Sequence, residues 1–148
     1  MSEYGDLVQA KCDAFADRVV KLNDYLLDQA ANKKPEVLKK TVNGKPLFKK
    51  PIPVFLQAVA NICNQLLRAG TSIGANMNEA QHPQSDSDFL SKASIALKES
   101  RESETWLHML SDNGYLDQRM SESILHDCER INKILITMTS KVRKRLNT

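Results

Sequence analysis

The chain has 148 residues, 41% hydrophobic and 26% charged, with a formal net charge of +3 at pH 7. This is one ordinary domain, long enough to bury a core. It is too apolar for a disordered chain and has no run near the roughly 20 apolar residues of a membrane span. Three cysteines, Cys12, Cys63 and Cys128, are an odd, widely spaced set. They are not a disulfide framework and fit a reducing compartment. Met1-Ser2-Glu3-Tyr4 shows neither the basic start nor the apolar core of a secretory signal, so a cytoplasmic protein is expected.

Along the chain, apolar residues recur at steps of four and three, which keeps them on one stripe of a helix. The first stripe is Val8, Cys12, Phe15, Val19, Leu22 and Leu26. Asn32 to Pro53 follows and holds Pro35, Pro46, Pro51 and Pro53, so it cannot be continuous helix. It carries seven lysines against one Glu, net +6, after a first segment (Met1 to Ala31) of net −3. Within it, Thr41-Val42-Asn43-Gly44-Lys45 reads as a hairpin turn, because Asn-Gly supplies the positive φ angles that such turns need. Leu47 and Phe48 are placed to anchor it on the rest of the fold. Loops of this length are usually functional or disordered.

The second stripe is Phe55, Val59, Ile62, Leu66, Ala69 and Ile73. His82-Pro83 ends it, and Ser85-x-x-Asp88 has the form of a capping box for a third helix. The third stripe is Phe89, Ala93, Ala96, Ser100, Ser103, Leu107 and Leu110. Its small centre predicts a helix approached closely by its neighbours. Asn113-Gly114 stops it, and Asp117 is placed to cap the fourth. The fourth stripe is Ile124, Cys128, Ile131, Leu135, Met138 and Val142. Short links make neighbouring helices antiparallel. The expected fold is all-α: one antiparallel up-down-up-down four-helix bundle over residues 1–148, with a long Lys/Pro-rich loop between helices one and two. The last segment, Asp117 to Thr148, is net +3 and ends in Lys141, Arg143, Lys144 and Arg145.

The sequence holds no catalytic motif: no Gly-rich phosphate loop, nucleophile elbow or Cys-x-x-Cys pair. Glu104/His108 and Glu122/His126 are each four apart and could share helix faces. That spacing is not the Glu-x-x-His of di-metal bundles, and chance surface pairs are the plainer reading, so no metal or cofactor is expected. The cysteines lie on or beside core stripes and are read as buried and inert. Arg68, Ser72, Asn76 and Glu79 fall on one face at steps of four, four and three. Gly70, Gly74 and Ala75 surround them, which points to close contact there and to a buried or interfacial polar network joined by Glu102 or Glu104. A solvated face is the alternative. Trp106, Met109 and Ile136 lie off the stripes and are expected to form an exposed apolar patch of the kind that marks protein contacts, or else the edge of the core.

The stretch from Leu67 to Ala80, LRAGTSIGANMNEA, then Ser85-x-x-Asp88-Phe89, then IALKESRESE-x-WL from Ile95 to Leu107, ending in Gly114-Tyr115-Leu116, resembles a long signature. It is similar to that of the bacterial four-helix-bundle proteins first noticed as reading frames in intervening sequences of large-subunit ribosomal RNA. The resemblance runs ungapped from about Leu66 to Leu116 and more loosely beyond. It implies a bundle that assembles as a homopentamer with no established enzymatic activity. A related branch, the accessory variability determinants of diversity-generating retroelements, binds a reverse transcriptase and nucleic acid through basic surfaces. The matched positions include Arg68, Ser72, Ile73, Asn76, Glu79, Ser85, Phe89, Ala96 and Glu104, with Trp106 inside the signature, and imply structural or interface roles. Ala80 stands where Gly is common, and Pro83 and Gln84 replace basic residues of the following turn, which argues against phosphate binding there.

The functional expectation is therefore a non-enzymatic, cytoplasmic, homopentameric adaptor that binds RNA or DNA, alone or with a reverse transcriptase. Phosphates would meet Lys33, Lys34, Lys39, Lys40, Lys45, Lys49 and Lys50, with Lys141, Arg143, Lys144 and Arg145 assisting if the tail shares their face. A protein-interaction scaffold without nucleic acid is the alternative, and a metal-dependent enzyme ranks last.

Overall fold

The computed structural model describes residues 3–32, 41–42, 45–46 and 53–147. Four long helices make up the bundle: α1 (Glu3–Asn32), α2 (Pro53–Ala80), α3 (Asp86–Asp112) and α4 (Gln118–Leu146). Between α1 and α2, β1 (Thr41–Val42) and β2 (Lys45–Pro46) pair antiparallel, Thr41 with Pro46 and Val42 with Lys45. Asn43-Gly44, Leu47 and Phe48 lie outside the described residues.

Local chemistry sets the helix ends. Pro53 opens α2 in the first turn, where a missing N–H is harmless. Ser85 caps α3 by accepting from the Asp88 N–H at 3.1 Å, while the Asp88 carboxylate accepts from the Gln84 N–H at 3.0 Å. The reciprocal bond thus reaches one residue further back than in the usual capping box. Gly114 ends α3 at φ +74°. The Tyr115 and Gly114 N–H groups return to Leu110 and Ser111 carbonyls, both at 2.9 Å, a Schellman closure that only a residue at ease in the left-handed region completes without strain. Asp117 caps α4 through the Met120 N–H at 2.8 Å.

All six members of the α1 stripe are buried. In α3, Ala93, Ala96, Ser100, Ser103, Leu107 and Leu110 are buried and Phe89 packs on the core from its edge. In α4, Ile124, Cys128, Ile131 and Leu135 are buried, while Met138 is only partly covered and Thr139 is buried beside it. The α2 stripe needs correction. Cys63, not Ile62, is fully buried, and the core continues through Met77 and Ala80. The reason is that α2 packs against both α1 and α3, so its buried face is wider than one stripe.

The glycines of α2 serve α1, not the polar row. A β-carbon at Gly70 would stand 3.0 Å from Val19 Cγ2, and one at Gly74 would stand 2.9 Å from Asp13 Oδ1. The close approach lets Gln9 donate to the Gly74 carbonyl (3.1 Å) and to Asp13 (2.8 Å), while Gln81 donates to Gln9 (3.0 Å). These contacts join the start of α1 to the end of α2. Asn132 to Glu104, Ser121 to Ser111 and Arg145 to Asp86 do the same for α3 and α4. All neighbours are thus antiparallel. The α2–α3 turn and the C-terminus of α4 share one end of the bundle. The α3–α4 turn shares the other end with Asn32 and Pro53. The α1–α4 seam is closed by Arg18, which pairs with the Asp127 carboxylate and donates to the Ser123 carbonyl and hydroxyl.

The expected off-stripe patch does not form. Trp106 is half-buried and donates its Nε1–H to Glu102 at 3.2 Å. Met109 is 38% exposed near the end of α3, whereas Ile136 is 39% exposed and level with Ser94 to Lys98. Eleven or more helical residues, about 16 Å, separate the two.

Candidate nucleic-acid interface

Lys33, Lys34, Lys39, Lys40, Lys49 and Lys50 lie outside the described residues. Lys45 is in β2, its side chain likewise outside the description. The tail cations Lys141, Arg143, Lys144 and Arg145 are exposed on the final turns of α4. Three of them sit in the last turn, where they also offset the negative end of the helix dipole. Arg145 reaches Asp86 at 2.6 Å, at the start of α3. The ends of the lysine-rich connection, Asn32 and Pro53, lie at the opposite end of α4, about 40 Å away. The tail therefore does not continue those ends as one patch, and its cations have other neighbours.

Those neighbours are on α3. A groove of about 460 Å³ runs between α3 and α4, lined by Ser94, Leu97, Lys98 and Arg101 on one side and Ile136, Thr139, Ser140 and Arg143 on the other. Lys98 and Arg101 are three apart and share a face. The antiparallel register brings Arg143 to the same groove. None of the three cations has an ion-pair partner among the described residues. Three α3 carboxylates have other partners: Asp86 pairs with Arg145, Glu102 accepts from Trp106, and Glu104 accepts from Asn132 Nδ2 at 2.9 Å. The groove lining itself carries three cations and no carboxylate. Lys98 and Arg101 did not stand out in the sequence, since the segment from Pro83 to Leu116 is net −3 overall.

The polar row on α2 is not one network. Asn76 donates to the Ser72 carbonyl (2.9 Å) and hydroxyl (3.1 Å). Arg68 is exposed. Glu79 pairs with Lys92 of α3, and that hydrogen bond raises the Lys92 pKa. Glu102 and Glu104 do not join the row. They point to Trp106 and to α4, because α3 turns those positions away from α2. Among the described residues no three His, Cys, Asp or Glu side chains gather as a metal site. Cys12, Cys63 and Cys128 are buried. Burial pushes their thiols up, Cys12 and Cys128 to about 12 and Cys63 to about 11.

The family model for the 23S rRNA-intervening sequence protein matches residues 55–137, which spans α2, α3 and most of α4. The chain belongs to this family. A similar solved structure is a crystal structure from Bacteroides thetaiotaomicron, described as a protein with unknown function from the S23 ribosomal protein family. It is 34% identical, with a TM-score of 0.69, over 92% of this chain and 97% of that one. No curated protein matches. The family match covers the α3 side of the groove and Ile136 of α4, and ends before Thr139, Ser140 and Arg143. No helix of the described residues is long and apolar enough to cross a membrane.

Proposed function

We propose that this member of the intervening-sequence family is a non-enzymatic adaptor that binds nucleic acid through basic surfaces, as a homopentamer. The observation that carries the reading is the cluster of cations at the C-terminal half of α4 and the facing turns of α3, where Lys98, Arg101 and Arg143 have no ion-pair partner among the described residues. Unpaired cations on a groove attract phosphate. The family is named for an intervening sequence of 23S rRNA, and RNA is the first polymer to test. Fivefold repetition would multiply the contacts without any new chemistry. The resemblance to retroelement accessory proteins makes a reverse transcriptase the expected protein partner. Filter binding of RNA and DNA at low salt tests the reading, and absence of binding to either removes it. Native mass spectrometry tests the pentamer.

A second reading, a protein scaffold without nucleic acid, is favoured by Tyr4, Leu7 and Tyr25 on α1, which are 52%, 54% and 45% exposed. They fall at steps that keep them on the α1 face beside α4. A partner retained by the protein after nuclease treatment, and lost on Leu7→Asp, supports that reading.

A further inference from the structure

We infer that the α3–α4 groove holds the phosphodiester backbone of a single nucleic-acid strand. This inference rests on the nucleic-acid reading and names the place where it acts. The groove's dimensions are the first argument. Its volume of about 460 Å³ lies within the roughly 300–1,000 Å³ of small-ligand sites. It has room for a nucleotide. Packed helices also stand only about 8–10 Å apart. A rigid duplex bridges such a furrow and touches its rims, whereas a flexible strand can lie along it.

The lining chemistry is the second argument. Arg101 and Arg143 approach from opposite helices, and each presents a planar fork that matches phosphate oxygens. Lys98 adds a compact charge one turn from Arg101. Ser94 and Ser140 place hydroxyls on the two walls. Neither hydroxyl has a hydrogen-bond partner among the described residues, so both are available to phosphate or sugar. Leu97 and Ile136 give the groove an apolar surface on which a sugar or base can rest. No aromatic side chain lines it, so base stacking is weak and the strand is held with little sequence preference.

Asp86 is paired with Arg145, and the Glu102 and Glu104 carboxylates accept from Trp106 and Asn132, while Lys98, Arg101 and Arg143 have no ion-pair partner among the described residues.

The test is a salt titration of binding to a 12-nucleotide oligouridylate, an oligothymidylate of equal length and a 12-base-pair RNA duplex. The full chain is compared with the variant Lys98→Gln/Arg101→Gln/Arg143→Gln, in which all three altered side chains are exposed. Helical circular dichroism checks that the variant stays folded. A second variant, Lys21→Gln/Arg119→Gln/Arg130→Gln, removes the same charge from α1 and other faces of α4. Loss of three single-strand phosphate contacts lowers the slope of log K against log salt by about 2. The expected result is that loss for at least one single strand in the groove variant, with a smaller change in the control and on the duplex. Equal loss in both variants, equal loss on the duplex, or an unchanged slope in the groove variant would overturn the groove assignment while leaving nucleic-acid binding intact. Absence of binding by the unaltered chain sinks the underlying function instead.

Discussion

Gly70 of α2 lies against Val19 of α1 so closely that a β-carbon on it would meet Val19 Cγ2 at 3.0 Å, Cγ1 at 3.1 Å and Cβ at 3.3 Å. Val19 is fully buried and β-branched, so it has little rotamer freedom with which to give way. Replacing Gly70 with Ala gains about 1 kcal/mol of helix propensity, but overpacking costs about 1–3 kcal/mol. The net expectation is a loss of about 1 kcal/mol. Gly74 differs, because its close neighbour is the end of the exposed Asp13 side chain, which can swing out. Gly74→Ala should therefore equal or exceed the parent in stability. Urea denaturation of the two variants checks this, and in a double-mutant cycle Val19→Ala should partly rescue Gly70→Ala. Equal effects at both glycines would refute the close-approach account.

The bundle was legible in the sequence because its signals are local. The apolar stripes, Ser85, Asp117 and Asn113-Gly114 each act within one or two turns, and the α1 stripe, most of the α3 and α4 stripes and these caps stand where the periodicity placed them. The errors arose where two helices jointly decide. Ile62 yields to Cys63 because α2 faces two neighbours, a fact that one helix's period does not contain. Gly70 and Gly74 do mark a close contact, but the partner is α1, on the other side from Arg68 and Asn76. The candidate site was least legible. Lys98 and Arg101 are about 40 residues from Arg143 and lie in a segment of net negative charge. Only the antiparallel register of α3 and α4 brings the three charges to one groove.

Arg18 is expected to hold α1 to α4. It pairs with Asp127 and donates to the Ser123 carbonyl at 3.3 Å and hydroxyl at 3.0 Å. Its side chain is 37% exposed and that of Asp127 is 38%, so solvent screens much of the attraction and the pair is worth at most about 1 kcal/mol. Arg18→Ala should lower stability by no more than that. Raised salt should shrink the difference between variant and parent. Hydrogen exchange should quicken in the middle of α1 more than in α2 or α3. Uniform acceleration across all four helices would show that the contact is not a local clasp.

Ala96 sits at the centre of α3 with no exposed surface, between Ala93 and Ser100, which are equally buried. The small side chains leave no space to spare for a larger residue. Ala96→Leu should destabilise by about 1–3 kcal/mol through overpacking, whereas Ala96→Ser should cost less, since a hydroxyl there can return to the carbonyl of residue 92 as Ser103 does to Glu99 at 2.9 Å. Thermal melts of the two variants give the order, and a Leu variant as stable as the Ser variant would mean that the helices separate freely at this level.

The three thiols give the bundle an alkaline limit. Cys12, Cys63 and Cys128 are buried, and desolvation raises their pKa from 9.0 to about 12, about 11 and about 12. In the unfolded chain they ionise near 9.0, so above that pH the unfolded state binds fewer protons than the folded one. Stability is then complete below pH 9.0 and falls as pH rises toward the folded values. The urea midpoint should decline beyond pH 9.0, and Cys12→Ala/Cys63→Ala/Cys128→Ala should flatten the decline while lowering stability at pH 7 through lost packing. A thiol reagent such as Ellman's disulfide should label none of the three at pH 8 until urea is added, because the thiolate is the attacking species. Rapid labelling of even one cysteine in the folded protein would contradict both the burial and the pH profile that follows from it.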